Sequence, residues 1–229
     1  DLNAYWKFNE ASGNIINQAS AIGSTDMIAS TDIVITGATY GVTGILGEAL
    51  SFVTNDSGIT SGASASVWNY LNQNGAIFTI AIWYKWDDRN DTGALLSTGA
   101  FTTGNSGVSI YLVAPSRKIG FSVGTEGDDG FEGTTTITVP DDGNWHLIIW
   151  TYDDSTGDSI LSINDGTKEV SGSHNLTNTA TCDNLKIAVF SNDTEYFNGD
   201  LDEISIWNRV LTDEEQTILY NSGLGHALP

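Results

Sequence analysis

The chain consists of short segments in which apolar residues alternate with polar ones or run together. Such segments, each bounded by turn residues, are typical of β-strands. Asp-Gly pairs beginning at Asp129, Asp142 and Asp165 lie between some of them, and Ser-Gly or Thr-Gly pairs lie between others. With three prolines in 229 residues, the pattern predicts one all-β domain over residues 1–229, built as a two-sheet antiparallel jelly-roll sandwich. The predicted strands lie in LNAYWKF, DIVITG, GEALSFV, FTIAIWYKW, GALLSTG, GVSIYLVA, KIGFSVG, TTTITVP, HLIIWTYD, SILSIND, NLKIAVF and LDEISIW.

The sequence also predicts one hairpin turn and one helix. Asn164-Asp165-Gly166 separates SILSI from TKEV and favours a tight turn between two strands. After the last strand, Thr212 can accept the backbone N–H of Glu215 while the Glu215 carboxylate reaches back, which is a capping box. A short C-terminal helix is therefore expected to begin there. Its apolar side and its terminating glycine are predicted to be Ile218, Leu219 and Gly223.

The charge balance excludes some partners. The chain has 29 Asp and Glu against 8 Lys and Arg, so its formal net charge is −21. Nucleic acids and anionic membranes are bound through Lys and Arg, and this surface would repel both. Excess carboxylate suits divalent cations or neutral polysaccharides, and it also serves solubility alone.

Cysteine content and hydropathy point to the compartment. The one cysteine, Cys182, allows no intramolecular disulfide, which is compatible with a bacterial, archaeal or viral surface protein. No apolar run is long enough to cross a bilayer, so no membrane insertion is expected. No signal peptide is evident and the chain begins at Asp1, so we expect a mature product or an excised domain.

Six segments, in chain order, carry a family resemblance over nearly the whole chain: AYWKFNEASG, GEALSFV, FTIAIWYKW, DGNWHLIIWTYD, LSINDG and NGDLDEISIWNRVLTDEE. Their order and spacing resemble the laminin G-like family of the concanavalin A-like lectin/glucanase superfamily. The resemblance implies a jelly-roll fold and a binding module. Members of this superfamily often hold a structural calcium ion where the first and last strands meet. Here the resemblance implies Glu10, the Gly47 carbonyl and Asp202 as ligands, a set of oxygens that suits Ca²⁺; the alternative is that both carboxylates only cap turns.

Two loop clusters are predicted to bind a ligand. Each combines an aromatic ring with carboxylate and amide groups, the combination that stacks on a pyranose and binds its hydroxyls. A solvated turn is the alternative for each loop. The first cluster is Trp86, Asp87, Asn90 and Asp91, and the second is Asn192, Asp193 and Tyr196. Whether the two meet in space cannot be read from the sequence. Trp68 is a further candidate for a stacking ring.

Support for catalysis is thin. Glu126, Asp128 and Glu132 loosely resemble the carboxylates of related β-glucanases, but intervening glycines break the strand that would have to hold them. None of the histidines stands in a recognisable lyase motif, and His146 is expected to be structural. We therefore expect no catalytic residues.

The sequence as a whole predicts a non-catalytic, calcium-containing, carbohydrate-binding or adhesion module. It is expected outside the cell, on a cell surface or on a virion, with a glycan or a cell-surface partner, and within a larger surface protein or assembly. A glycan-active enzyme of the glucanase or polysaccharide lyase type is one alternative. The other is a structural domain of an adhesin, a surface filament or a viral fibre.

Overall fold

The computed structural model describes residues 1–19, 33–52, 58–61, 64–87, 91–99, 106–125, 130–140, 142–166, 168–177 and 179–228. Within these ranges the chain forms two antiparallel β-sheets and one α-helix near its C-terminus. The predicted all-β architecture with a short C-terminal helix is therefore confirmed.

The first sheet contains eight described strands: β1 (Leu2–Trp6), β3 (Thr39–Thr43), β4 (Glu48–Phe52), β6 (Ile77–Trp86), β11 (His146–Asp153), β12 (Asp158–Ile163), β13 (Glu169–Ser173) and β15 (Gly199–Trp207). Their order is β13-β12-β11-β6-β15-β4-β3, and β1 pairs with β15 beyond that path. The first and last strands are therefore neighbours, with Tyr5 opposite Ser205.

The second sheet contains seven described strands: β2 (Ile33–Thr36), β5 (Gly58–Ser61), β7 (Gly93–Ser97), β8 (Ser106–Val113), β9 (Lys118–Thr125), β10 (Phe131–Thr138) and β14 (Lys186–Ile187). Their order is β10-β9-β8-β7-β14-β5-β2. Each predicted segment overlaps one of the described strands. Strands β3, β5 and β13 lie outside those segments. The predicted hairpin turn before TKEV indicated a strand where β13 lies, whereas β3 and β5 are short and have no apolar run to mark them.

The main core lies between the sheets, where the side chains that alternate inward are fully buried. Ile80 and Ile82 face Ile110 and Leu112 across this core, and Phe78 packs edge-on against Trp150 at a ring-centroid distance of 4.9 Å. A second, smaller apolar cluster covers the outer face of the first sheet. Among the described residues, no helix is long and apolar enough to cross a membrane.

The α-helix, α1 (Asp213–Tyr220), covers that outer face and has the predicted capping box at Thr212 and Glu215. Its predicted end and apolar side need correction. Asn221, in the left-handed conformation with φ of 46°, is the C-cap, and Gly223 lies one short 3₁₀ turn further on. Of the two predicted apolar residues, Leu219 packs inward and Ile218 is 53% exposed, because one side of so short a helix reaches the sheet.

Candidate functional site

The two predicted ligand loops meet at the start of β7. The backbone N–H of Ala94 donates to the Glu195 carbonyl at 2.9 Å, and Ala94 forms an isolated parallel bridge with Tyr196. A Cβ atom added at Gly93 would lie 2.8 Å from the Phe197 Cα, so only glycine allows this close approach. The two predicted clusters, about a hundred positions apart in the chain, therefore meet in space and form one site.

A cleft of about 330 Å³ opens between these segments. It is lined by Asp91, Thr92, Glu195 and Tyr196, and is called the 91/196 cleft below. Asp91 and Glu195 are exposed and the Tyr196 ring is half-buried. The cleft has the size of a small-ligand pocket, at the lower end of the usual range.

The turn that carries Glu195 and Tyr196 is fixed by its own hydrogen bonds. Phe190 N–H donates to the Thr194 carbonyl at 3.0 Å, and Thr194 Oγ1 lies 2.6 Å from Asn192 Oδ1. Asp193 accepts from Lys186 Nζ at 2.6 Å. Asn192 and Asp193, predicted as ligand-binding residues, therefore hold the turn and do not line the cleft.

The remaining predicted residues of the first cluster do not line the cleft either. Trp86 lies in the core between the sheets and is 7% exposed, so the prediction of a stacking ring at Trp86 is wrong. The same correction applies to Trp68, which is fully buried. Asp87 is exposed, and its N–H donates to the Asn198 carbonyl at 3.2 Å. Asn90 lies outside the described residues.

Sequence reasoning missed two lining residues, Thr92 and Glu195. Each is a direct chain neighbour of a predicted one, Asp91 or Tyr196, which is the only signal that could have found them. Thr92 and Glu195 line the cleft because of the bridge at Ala94, and no local sequence pattern predicts that bridge.

Tyr111 lies on the strand next to the one that begins at the cleft. Tyr111 in β8 pairs with Ala94, packs edge-on against Phe190 at 5.1 Å, and donates from its hydroxyl to Glu132 Oε1 at 2.6 Å. Burial raises the pKa of the Tyr111 hydroxyl, with the neighbouring Glu132 adding to the effect. Glu132, a residue of the loose β-glucanase pattern, thus anchors a tyrosine. Glu126 and Asp128 lie outside the described residues.

The segments that carry the predicted calcium ligands converge, but their oxygens are engaged by N–H groups. Asp202 Oδ2 accepts from the backbone N–H groups of Ile45 (2.8 Å) and Leu46 (3.3 Å). The Gly47 carbonyl accepts from Gly44 N–H at 3.0 Å. Glu10 Oε1 accepts from Ile16 N–H at 3.0 Å, while its buried Oε2 has no hydrogen-bond partner among the described residues.

Those donors point at the oxygens that a cation would need, so the described residues do not present a ready calcium sphere. Among the described residues, no group of three or more His, Cys, Asp or Glu side chains is placed to hold a metal ion. Asn9, missed in the sequence, is the residue that ties the opening segment to this turn. Its Oδ1 accepts from Glu48 N–H at 2.6 Å.

Asp202 and its neighbour Glu203 form a buried acidic pair. Burial, and then repulsion by Glu203, raises the pKa of Asp202 to about 8. Burial likewise raises the pKa of Glu203 to about 7, although Tyr5 donates its hydroxyl to that carboxylate. Glu203 has a φ of 47° at a β-bulge, a costly conformation for a non-glycine residue.

His146, the first residue of β11, is hydrogen-bonded to side chains of two turns. Its Nε2 lies 2.9 Å from Asp142 Oδ1, and its Nδ1 lies 3.1 Å from Asn164 Nδ2. The hydrogen bond with His146 lowers the pKa of Asp142 to about 2. The ring is buried, and these contacts tie β11 to the hairpin turn that Asn164 begins with a φ of 59°.

Comparison with known proteins places the chain among lectin-like folds. Residues 54–215 match a laminin G-type family described as concanavalin A-like lectin/glucanases superfamily. No curated protein sequence matches the chain.

Three solved structures resemble the chain. Domain 4 of AbnA, an extracellular GH43 arabinanase from Geobacillus stearothermophilus solved with arabinotriose, has a TM-score of 0.68 at 20% identity, over 99% of this chain and 98% of that one. The CBM40 of the Ruminococcus gnavus IT-sialidase, bound to α2,3-sialyllactose, has a TM-score of 0.59 at 18% identity, over 74% and 94%. The binding domain of botulinum neurotoxin DC, solved with rat synaptotagmin II, has a TM-score of 0.66 at 14% identity, over 96% and 51%.

Proposed function

The chain belongs to the concanavalin A-like lectin/glucanase superfamily, and we propose that it is a non-catalytic carbohydrate-binding module that binds a glycan in the 91/196 cleft. The observation that carries the proposal is the meeting of the two loop clusters around that cleft. The similar structures solved with arabinotriose and sialyllactose support glycan as the class of ligand.

The side chains of the cleft suit a sugar. Carboxylates accept hydrogen bonds from hydroxyl groups, and the half-buried Tyr196 ring offers an apolar surface beside them. Thr92 adds a hydroxyl, which already accepts from Ala114 N–H at 3.3 Å and is therefore held in place. The second sheet lies behind these loops, and binding residues concentrate on loops that a rigid scaffold holds in place.

A glycan array tests the proposal, run with the wild type, Tyr196→Ala and Tyr196→Phe. The phenylalanine variant is the matched control because it keeps the ring. We expect the wild type and Tyr196→Phe to bind the same glycans and Tyr196→Ala to lose them. Binding that survives Tyr196→Ala unchanged would place the glycan elsewhere, and an array with no signal would sink the proposed function.

The module is proposed to be non-catalytic. Glu132 is held by Tyr111, and in the sequence Gly127 and Gly130 interrupt the strand pattern that would align Glu126 and Asp128 with it. We expect no turnover of laminarin, other β-glucans or alginate. Reducing ends or unsaturated products that disappear on Glu132→Gln would show an enzyme instead.

A structural calcium ion at Glu10, the Gly47 carbonyl and Asp202 stays a prediction. The buried acidic pair and the unpartnered Glu10 Oε2 favour a cation there, and the N–H donors to Asp202 oppose one. A native-state ligand raises the melting temperature. A bound ion predicts that chelator lowers the melting temperature of the wild type and leaves Asp202→Ala unmoved. No response of the wild type would mean that Asp202 acts through its N–H donors alone.

Display outside the cell, on a cell or virion surface, completes the proposal, with a larger surface protein as its setting. The acidic composition suits neutral polysaccharide better than nucleic acid. A purely structural role in an adhesin or fibre would leave the array empty while the fold stays intact.

A further inference from the structure

The charges at the 91/196 cleft bear on the class of glycan. We propose that the cleft takes an uncharged glycan in preference to an acidic one, an inference that rests on the proposed glycan-binding function of the same cleft. Of the four lining residues, Asp91 and Glu195 are carboxylates, and Thr92 and Tyr196 are uncharged. Among the described residues, the lining therefore carries negative charge and no positive charge.

Acidic sugars need a cation that this site does not offer among its described residues. Proteins bind carboxylates through Arg or Lys. Lys186 holds the turn that carries the cleft, but it is paired with Asp193 at 2.6 Å and its side chain is 14% exposed. Arg89 lies outside the described residues. Segment 87–91 contains three aspartates against that one arginine, so its formal charge is −2.

The rest of the chain acts in the same direction. With a formal net charge of −21, the protein repels an approaching anion over a distance set by ionic strength, about 8 Å at physiological salt. A neutral sugar does not experience this repulsion. Its hydroxyls can donate to Asp91 and Glu195 while an apolar ring face lies on Tyr196, so the acidic lining favours a neutral sugar and disfavours an acidic one.

Calorimetric titration separates the two classes. Lactose and arabinotriose serve as neutral probes and α2,3-sialyllactose as the acidic one. Lactose lacks the whole sialic acid residue, so the salt dependence of the affinity difference within that pair is what reports the carboxylate charge. At low salt we expect at least one neutral probe to bind and sialyllactose to bind about tenfold more weakly or not at all. High salt should narrow that gap by strengthening sialyllactose alone, because salt screens repulsion.

Variants assign the effect to the cleft. Glu195→Gln and Asp91→Asn remove charge with little change of shape. Each should reduce the difference in affinity between the neutral probes and sialyllactose. Glu214→Gln on α1 also removes one negative charge, but away from the cleft, so it should leave that difference in affinity unchanged. Arg89→Ala should not weaken sialyllactose.

The outcomes distinguish this inference from the function beneath it. If sialyllactose binds as tightly as the neutral probes, or loses binding on Arg89→Ala, the preference for an uncharged glycan is wrong. The proposed glycan-binding function is unaffected by that result. Failure of all three probes at both salt concentrations counts against both, and the glycan array then decides whether any glycan is bound.

Discussion

Two regions of this molecule contain aromatic rings and carboxylates, and they use them differently. In the interior, Trp86 lies in the core and Asp202 is fully buried in β15. At the rim, Tyr196 is half-buried and Asp91 is exposed beside it in the 91/196 cleft. Similar side chains are structural in one place and free for a ligand in the other.

The partners of the carboxylates explain the difference. Each Asp202 oxygen accepts a backbone N–H, from Ile45 and Leu46 on one side and from Glu203 on the other. Buried polar groups must be satisfied in this way, and a satisfied group has little capacity left for a ligand. A carboxylate at the rim is solvated, and a sugar hydroxyl can replace that water.

The largest expected difference concerns the two aromatic residues. Trp86→Ala leaves a cavity between the sheets and should cost about 3–5 kcal/mol of the free energy of unfolding. Tyr196→Ala removes a half-exposed ring and should cost much less. Denaturant melts of both variants measure this. Equal losses in the free energy of unfolding would contradict the distinction between interior and rim. A small loss for Trp86→Ala would mean that its ring is not buried in the core.

The acids should differ next. Asp202→Ala leaves the N–H groups of Ile45 and Leu46 without partners, at about 1–3 kcal/mol for each donor that stays unpaired. Asp91→Ala, on the exposed rim, should change stability by no more than about 0.5 kcal/mol. The same denaturant melts measure both. An Asp202 variant as stable as the Asp91 variant would mean that the buried hydrogen bonds contribute nothing.

A further effect should appear on changing pH. Because the folded-state pKa values of Asp202 and Glu203 are raised to about 8 and about 7, the folded state binds more protons than the unfolded chain between about pH 4 and pH 8. The free energy of unfolding should therefore fall as pH rises through this window. The pKa values of Asp142 and Glu215 are lowered to about 2, so these groups change the free energy of unfolding only below about pH 4, where the stabilisation they provide is lost.

Melting temperatures between pH 5 and pH 8 test this expectation, with chelator present. Asp202→Asn is the control: it keeps the repulsion among the other acids and removes one titrating group, so its profile should be flatter. A wild-type profile that is flat with calcium and sloped with chelator would indicate that an ion holds Asp202 ionised. A wild type that gains stability toward pH 8 would contradict the raised pKa values.

The sequence predicted the strands well because their signal is local. Alternation and turn residues located the long strands, and the capping box located α1. β3, with Gly41 at its centre, and β5, with one isoleucine in GITS, were missed because four or five residues with so few apolar side chains do not form a pattern.

The candidate site was predicted in part, because its assembly is not local. Asp91 and Tyr196 were found by composition, but their meeting depends on the bridge at Ala94 across two sequence-distant segments. Trp86 was placed in the site because it ends a strand beside acidic residues; its burial depends on the opposite sheet. Asn9 was missed for the same reason, since nothing local in the sequence shows that its side chain accepts from the distant Glu48 N–H.

Mapping the backbone amide NMR signals during titration with the tightest-binding glycan of the array shows whether the glycan binds in the 91/196 cleft. We expect the largest shifts on Thr92, Glu195 and Tyr196, while the amides of Ile45 and Leu46 beside Asp202 stay unmoved. Saturating shifts that centre elsewhere and leave those three amides unchanged would contradict this expectation.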